Sequence, residues 1–155
     1  MNSPEERFST ALHSTARAWR QALNRRLKHL GISQAGWLTI AAIAKDKVAP
    51  SQSELADRLG VEGATMVAMI DRLVKSQLLV REPSPTDRRI KRVSLTEAGE
   101  RLYAQLRAEA EAFRRQILAE IDPETLRSAT ELLERLQSLA EQQVCGAADQ
   151  RTSQT

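Results

Sequence analysis

The stretch SQSELADRLGVEGATMVAMIDRLVKSQLLVRE, residues 51–82, decides the fold. Ser51 and Glu54 stand three residues apart ahead of an apolar run, the spacing at which each side chain satisfies the other's orphan amide, and Pro50 breaks the helix before it. Leu55, small Ala56 and Leu59 form an inward side, Gly60 ends that helix, and Val61 leads into a second one from about Gly63 to Ser76. Two helices meeting at a glycine turn, with Met66, Met69, Ile70 and Leu73 on one face of the second, have the layout of a helix-turn-helix over about 51–76. Around the outside of the second helix stand Ala64, Thr65, Val67, Ala68, Arg72 and Lys75, with Ser51 and Gln52 at the start of the first. These are the candidates to meet duplex DNA. An ordinary αα-corner also buries Leu, Ala and Met at such spacings, so the next segment has to separate the two readings.

That segment reads as a β-hairpin over about 78–95. Leu78, Leu79 and Val80 suggest a strand, Pro83, Ser84, Pro85, Thr86 and Asp87 a loop, and Ile90 to Leu95 a second strand. Arg81, Arg88, Arg89, Lys91 and Arg92 outnumber Glu82 and Asp87 here, so the hairpin is strongly basic. A basic β-tip beside a helix-turn-helix can grip phosphate and place an arginine in the minor groove, which is the work of a wing. The plainer alternative is a solvated basic loop.

Further outward, Phe8, Leu12, Trp19, Leu23 and Leu27 recur at helical intervals and predict a long helix over about 5–30, stopped by Gly31. Ser33 can cap a short apolar helix carrying Trp37, Leu38, Ile40, Ala41 and Ala44. After Thr96, Ala98, Leu102, Leu106, Ala110, Phe113 and Ile117 predict another long helix. Asp122 and Pro123 start a last one, with a seam of Leu126, Leu133, Leu136 and Ala140 widened by Leu132 and Leu139, so helices are expected over about 97–144. The fold class expected is mainly α with a small β-hairpin wing: a single winged helix-turn-helix domain over 1–145, with long terminal helices and a disordered tail over 146–155.

Composition narrows the function classes. The chain has 155 residues, 41% of them apolar and 28% charged, which suits one globular domain with a real core. Its positive surplus falls in the first two-thirds and its last third is net negative. No apolar run is long enough to span a bilayer and the first ten residues lack a secretory pattern, so a cytoplasmic address with no membrane partner is expected. One cysteine, Cys145, excludes an internal disulfide, and two histidines, His13 and His29, give no zinc spacing. No cofactor or metal is expected. Without a nucleophile–base pairing, a Gly-rich phosphate loop or paired carboxylates, an enzyme is not expected either.

The segments 51–82 and DRRIKRVSLTEAGE (87–100), with TARAWRQALNRRLKHLGISQAGW (15–37) ahead of them, resemble the MarR family of transcriptional regulators, within it the SlyA-like proteins, over about Phe8 to Gln143. The resemblance implies an obligate homodimer formed by the first and last helices, which sets two wings on a pseudopalindromic operator with half-sites about one helical turn apart. It implies that Asp87 orients Arg89 for the minor groove, with Arg88 nearby. Two departures stand out. Ala68 occupies a position where SlyA-like proteins keep an arginine, and Gln77 stands where the family commonly ends the recognition helix with a glycine that permits positive φ, so a slightly strained helix end is expected there.

The resemblance further implies a repressor released by a small aromatic carboxylate. Arg17 and Arg20 could pair with such a carboxylate, Trp37 offers an aromatic wall and His13 a polar contact; equally, Trp37 could be a core aromatic and the arginines a solvated face. A thiol switch at Cys145 is not expected. The rival class is a winged-helix module that binds protein, against which the basic wing argues.

Overall fold

The computed structural model describes the backbone of residues 3–152 and the side chains of residues 3–143. Helix α1 spans Pro4–Leu27, opened by a Ser3–Glu6 capping box, and runs through a 3-10 turn at Lys28–Leu30 to Gly31, whose φ of 69° closes it. Helix α2 (Gln34–Ala44) is capped by Ser33. Helices α3 (Gln52–Leu59) and α4 (Gly63–Lys75) follow, then strands β1 (Leu79–Pro83) and β2 (Lys91–Leu95) and helices α5 (Glu97–Leu118) and α6 (Pro123–Thr152). The mainly α architecture with one hairpin is the one expected.

The chain divides into two compact units, Met1–Arg114 and Arg115–Thr155, where a single domain over 1–145 was expected. In the first unit Leu27, Ile40, Leu55, Ile70 and Val93 are fully buried, drawing α1, α2, α3, α4 and β2 into one core. Truncating such a side chain to Ala removes about 2–5 kcal/mol. Leu106 and Phe113 of α5 join this core, and the Trp19 ring meets Phe113 edge-on at 5.0 Å.

The two strands pair antiparallel in the register Leu79↔Leu95, Arg81↔Val93, Pro83↔Lys91. Pro83 therefore belongs to β1 rather than to the loop, tolerated because both strands of a two-stranded sheet are edges, where an N–H can be forgone. The segment ahead of α3 adds a short third element, since Ser51 bridges Arg92 and the Val93 N–H donates to the Pro50 carbonyl at 2.9 Å. A Cβ at Gly99 would lie 2.2 Å from the Leu78 carbonyl oxygen, so α5 crosses the hairpin base at a distance only glycine permits.

Apolar periodicity overstated what the single chain buries. Phe8 and Leu12 in α1 are exposed, as are Ile117, Ile121, Leu132, Leu133 and Leu139 in the second unit. Helix α6 runs beyond its expected end at 144 to Thr152; residues 153–155 and the Cys145 side chain lie outside the described residues. Among the described residues no helix is long and apolar enough to cross a membrane.

Candidate nucleic-acid interface

The start of α3 forms as its residues dictate. The Ser51 hydroxyl accepts the Glu54 N–H at 3.2 Å and Glu54 Oε2 accepts the Ser51 N–H at 2.6 Å. These bonds from the Ser51 backbone and hydroxyl hold the Glu54 carboxyl below the usual carboxylate range, with Arg92 and Arg58 adding to the effect. Ser51 thus already serves the helix, and it is half-buried. Gln52 is half-buried too, its Oε1 enclosed with no protein partner.

On α4 the division is clean. Met66, Met69, Ile70 and Leu73 are buried, while Ala64, Thr65, Val67, Ala68, Arg72 and Lys75 are all exposed. At its end the Leu78 N–H reaches the Leu73 carbonyl and the Gln77 N–H the Val74 carbonyl, each at 2.9 Å, a Schellman closure that needs a left-handed residue. Gln77 takes that conformation at φ 61°, alone among the described non-glycine residues, so the strain expected from its lacking a glycine is present.

The five hairpin cations fall into two groups, which the charge run alone did not separate. Arg81 pairs with Asp71 of α4 and reaches the Val67 carbonyl at 3.4 Å. Arg92 donates to the Ala49 carbonyl at 2.7 Å and lies 3.7 Å from Glu54. Both are anchors. Arg88, Arg89 and Lys91 are exposed around the tip. Asp87 does order this tip, but through the main chain: its Oδ1 accepts the Arg89 backbone N–H at 2.9 Å, and its carbonyl accepts the Ile90 N–H at 3.0 Å. The guanidinium of Arg89 is left to face outward. Beneath it, buried Ser84 closes the loop, its N–H on the Ile90 carbonyl at 2.8 Å and its hydroxyl 3.0 Å from that of Thr86.

A profile of the MarR family matches residues 30–90, from the end of the 3-10 turn to the hairpin tip. The transcriptional regulator PA3341 is 38% identical in sequence and superposes with a TM-score of 0.80 over 87% of this chain and 98% of its own. The chain belongs to the MarR family. It is a transcriptional regulator of that family, and the same fold extends to more distant members. CouR from Rhodococcus jostii RHA1, solved bound to p-coumaroyl-CoA, is 20% identical with a TM-score of 0.75 over 88% of this chain and 95% of its own. Staphylococcus aureus MepR, solved as a DNA complex, is 18% identical with a TM-score of 0.76 over 89% and 99%.

The residues named for an effector do not gather in this MarR-family chain. His13, Arg17 and Arg20 are exposed on α1. Trp37 is half-buried, its indole N–H donating to Asn24 Oδ1 at 2.8 Å, and it lines a cavity of about 410 Å³ between α1, α2 and α5. The polar groups sharing that cavity are Lys45, Tyr103, Arg107 and Arg114, none of which the sequence singled out. Their signal was weak, because they are scattered from α2 to α5 and share no motif spacing.

Proposed function

We propose that this MarR-family regulator binds duplex DNA as a homodimer, α4 entering the major groove and the hairpin tip reaching the minor groove, and that it acts as a repressor released by a small aromatic carboxylate. The observation that carries the DNA-binding reading is the division of hairpin cations: two lock the hairpin to α3 and α4, and Arg88, Arg89 and Lys91 are presented outward. A hairpin held rigidly with cations at its tip is what phosphate and a narrow minor groove attract. The exposed apolar residues Phe8 and Leu12, and separately Leu132, Leu133 and Leu139, supply the kind of surface a second copy buries.

The cavity beside Trp37 supports the effector reading. A volume of about 410 Å³ with two aromatic rings and three cations suits one aromatic acid, with Lys45, Arg107 and Arg114 taking the role first given to Arg17 and Arg20. The aromatic acyl group of p-coumaroyl-CoA in CouR is of a related class. Such a ligand releases DNA only by as much as it prefers the form that cannot bind it.

The test is an anisotropy titration of the full-length protein against duplex DNA from upstream of its own gene, at low and moderate salt, with a pool of aromatic carboxylates in a parallel series. Tight, salt-sensitive binding that the pool reverses is the expected result. Binding unaffected by the pool removes the effector. Failure to bind any duplex at low salt leaves the protein-binding module as the better reading.

A further inference from the structure

The first two turns of α4, Gly63 to Ile70 (GATMVAMI), contain no charged, amide or aromatic side chain. In a helix-turn-helix these are the residues that meet base edges. At 100° per residue, Ala64 and Ala68 lie within about 30° of the direction opposite the buried stripe of Met66, Met69, Ile70 and Leu73, with Val67 and Thr65 as flanks. The outermost position one turn later is Asp71, an exposed carboxylate that would be repelled by phosphate but whose charge is paired with Arg81. Arg72 and Lys75 stand in the last turn, beyond these residues.

The methyl groups of Ala64, Ala68, Val67 and Thr65 can make no bidentate hydrogen bond to guanine or adenine. Of these only Thr65 has a donor or acceptor at all. What an apolar, small-residue face does recognise in the major groove is the C5-methyl of thymine, a hydrophobic knob that no other unmodified base carries. Two alanines at the outermost positions also let the helix backbone settle closer to the groove floor than long side chains would.

Resting on the DNA-binding reading above, we infer that this regulator reads its operator chiefly through thymine methyls packed against Val67 and Ala68, with the specificity of each half-site carried by apolar contact rather than by side-chain hydrogen bonds to bases.

Uracil pairs as thymine does and lacks only that methyl, so it isolates the contact. The full-length protein is used to select duplexes from a randomised pool. The enriched duplex is then resynthesised with each thymine of both half-sites replaced in turn by uracil. Dissociation constants are measured by anisotropy at one salt concentration. At one or two positions per half-site the uracil duplex binds more weakly, on the order of fourfold per methyl and about sixteenfold for the symmetric pair. In the Val67→Ser/Ala68→Ser protein, whose changes are confined to exposed positions and whose folding is checked by thermal melting, thymine and uracil duplexes bind alike. Equal binding of thymine and uracil duplexes by the unaltered protein overturns the inference. So does a uracil penalty that survives intact in the double variant, since the methyl would then act through DNA shape. A selection that enriches no sequence overturns the DNA-binding reading itself.

Discussion

Helix α4 and the hairpin tip stand side by side with opposite chemistry. The first presents methyl groups over two turns; the second presents Arg88, Arg89 and Lys91 within four residues. Arg81 joins them, its guanidinium on Asp71 and the Val67 carbonyl. On the DNA-binding reading proposed above, the contrast assigns affinity and selectivity to separate places: the cations at the tip would hold any duplex, and the uncharged first two turns of α4 would distinguish one duplex from another. Each can therefore be broken without the other.

The largest effect is expected at the tip. Arg88→Ala/Arg89→Ala should weaken binding about 100-fold at moderate salt, for chosen and unrelated duplexes alike, and lower the slope of log affinity against log salt by about two. An unchanged slope in salt-dependent anisotropy would take the tip out of the interface and leave the contrast empty. Next comes the joint. Arg81→Ala should cost about tenfold in DNA affinity by leaving the Asp71 carboxylate unpaired, and adding Asp71→Asn should restore most of it. If the second change restores nothing, Arg81 acts as a hairpin brace and not by neutralising Asp71.

Two helix ends sharpen the comparison from the side of stability. Gly60 and Gln77 close α3 and α4 with the same pattern of bonds, at φ 64° and 61°. Only the first has the residue that suits the conformation. Gln77→Gly should stabilise the fold by about 1 kcal/mol and Gly60→Ala destabilise it by a similar amount, measured by urea unfolding.

The smallest effect is at Glu54, which ties the α3 cap to Arg92 near the loop end of β2. Its carboxyl is held below its ordinary value in the folded chain, so its contribution is present at neutral pH and is lost as pH falls through the folded value. Melting temperatures followed from neutral into acid should fall less steeply for Glu54→Gln than for the unaltered protein. Parallel curves would mean the cap adds nothing that titrates.

Local chemistry was legible in the sequence and partner choice was not. The Ser51–Glu54 box, the Gly60 turn and the strain at Gln77 each follow from a few neighbouring residues and stand in the structure as read. The buried and exposed faces of α4 follow from its period. Arg81 and Arg92, however, look like any other cation in a basic run, and what claims them lies 10 and 38 residues away, at Asp71 and Glu54. The cavity cations were missed for the same reason: Lys45, Arg107 and Arg114 share a cavity with Trp37 only because the folded chain brings α5 alongside it. Nor could periodicity tell which apolar seams one chain buries by itself, since Phe8 and Leu132 carry the same pattern as Leu27 and Leu106.

Gly99 bears on motion. Where α5 crosses the hairpin base, the Thr96 hydroxyl donates to the Gln77 carbonyl at 2.6 Å, and the Leu78 carbonyl accepts the Thr96 N–H at 3.1 Å and lies so near Gly99 that a Cβ there would meet it. Three attachments at one joint leave little room for α5 to tilt there without carrying the trailing end of α4 with it.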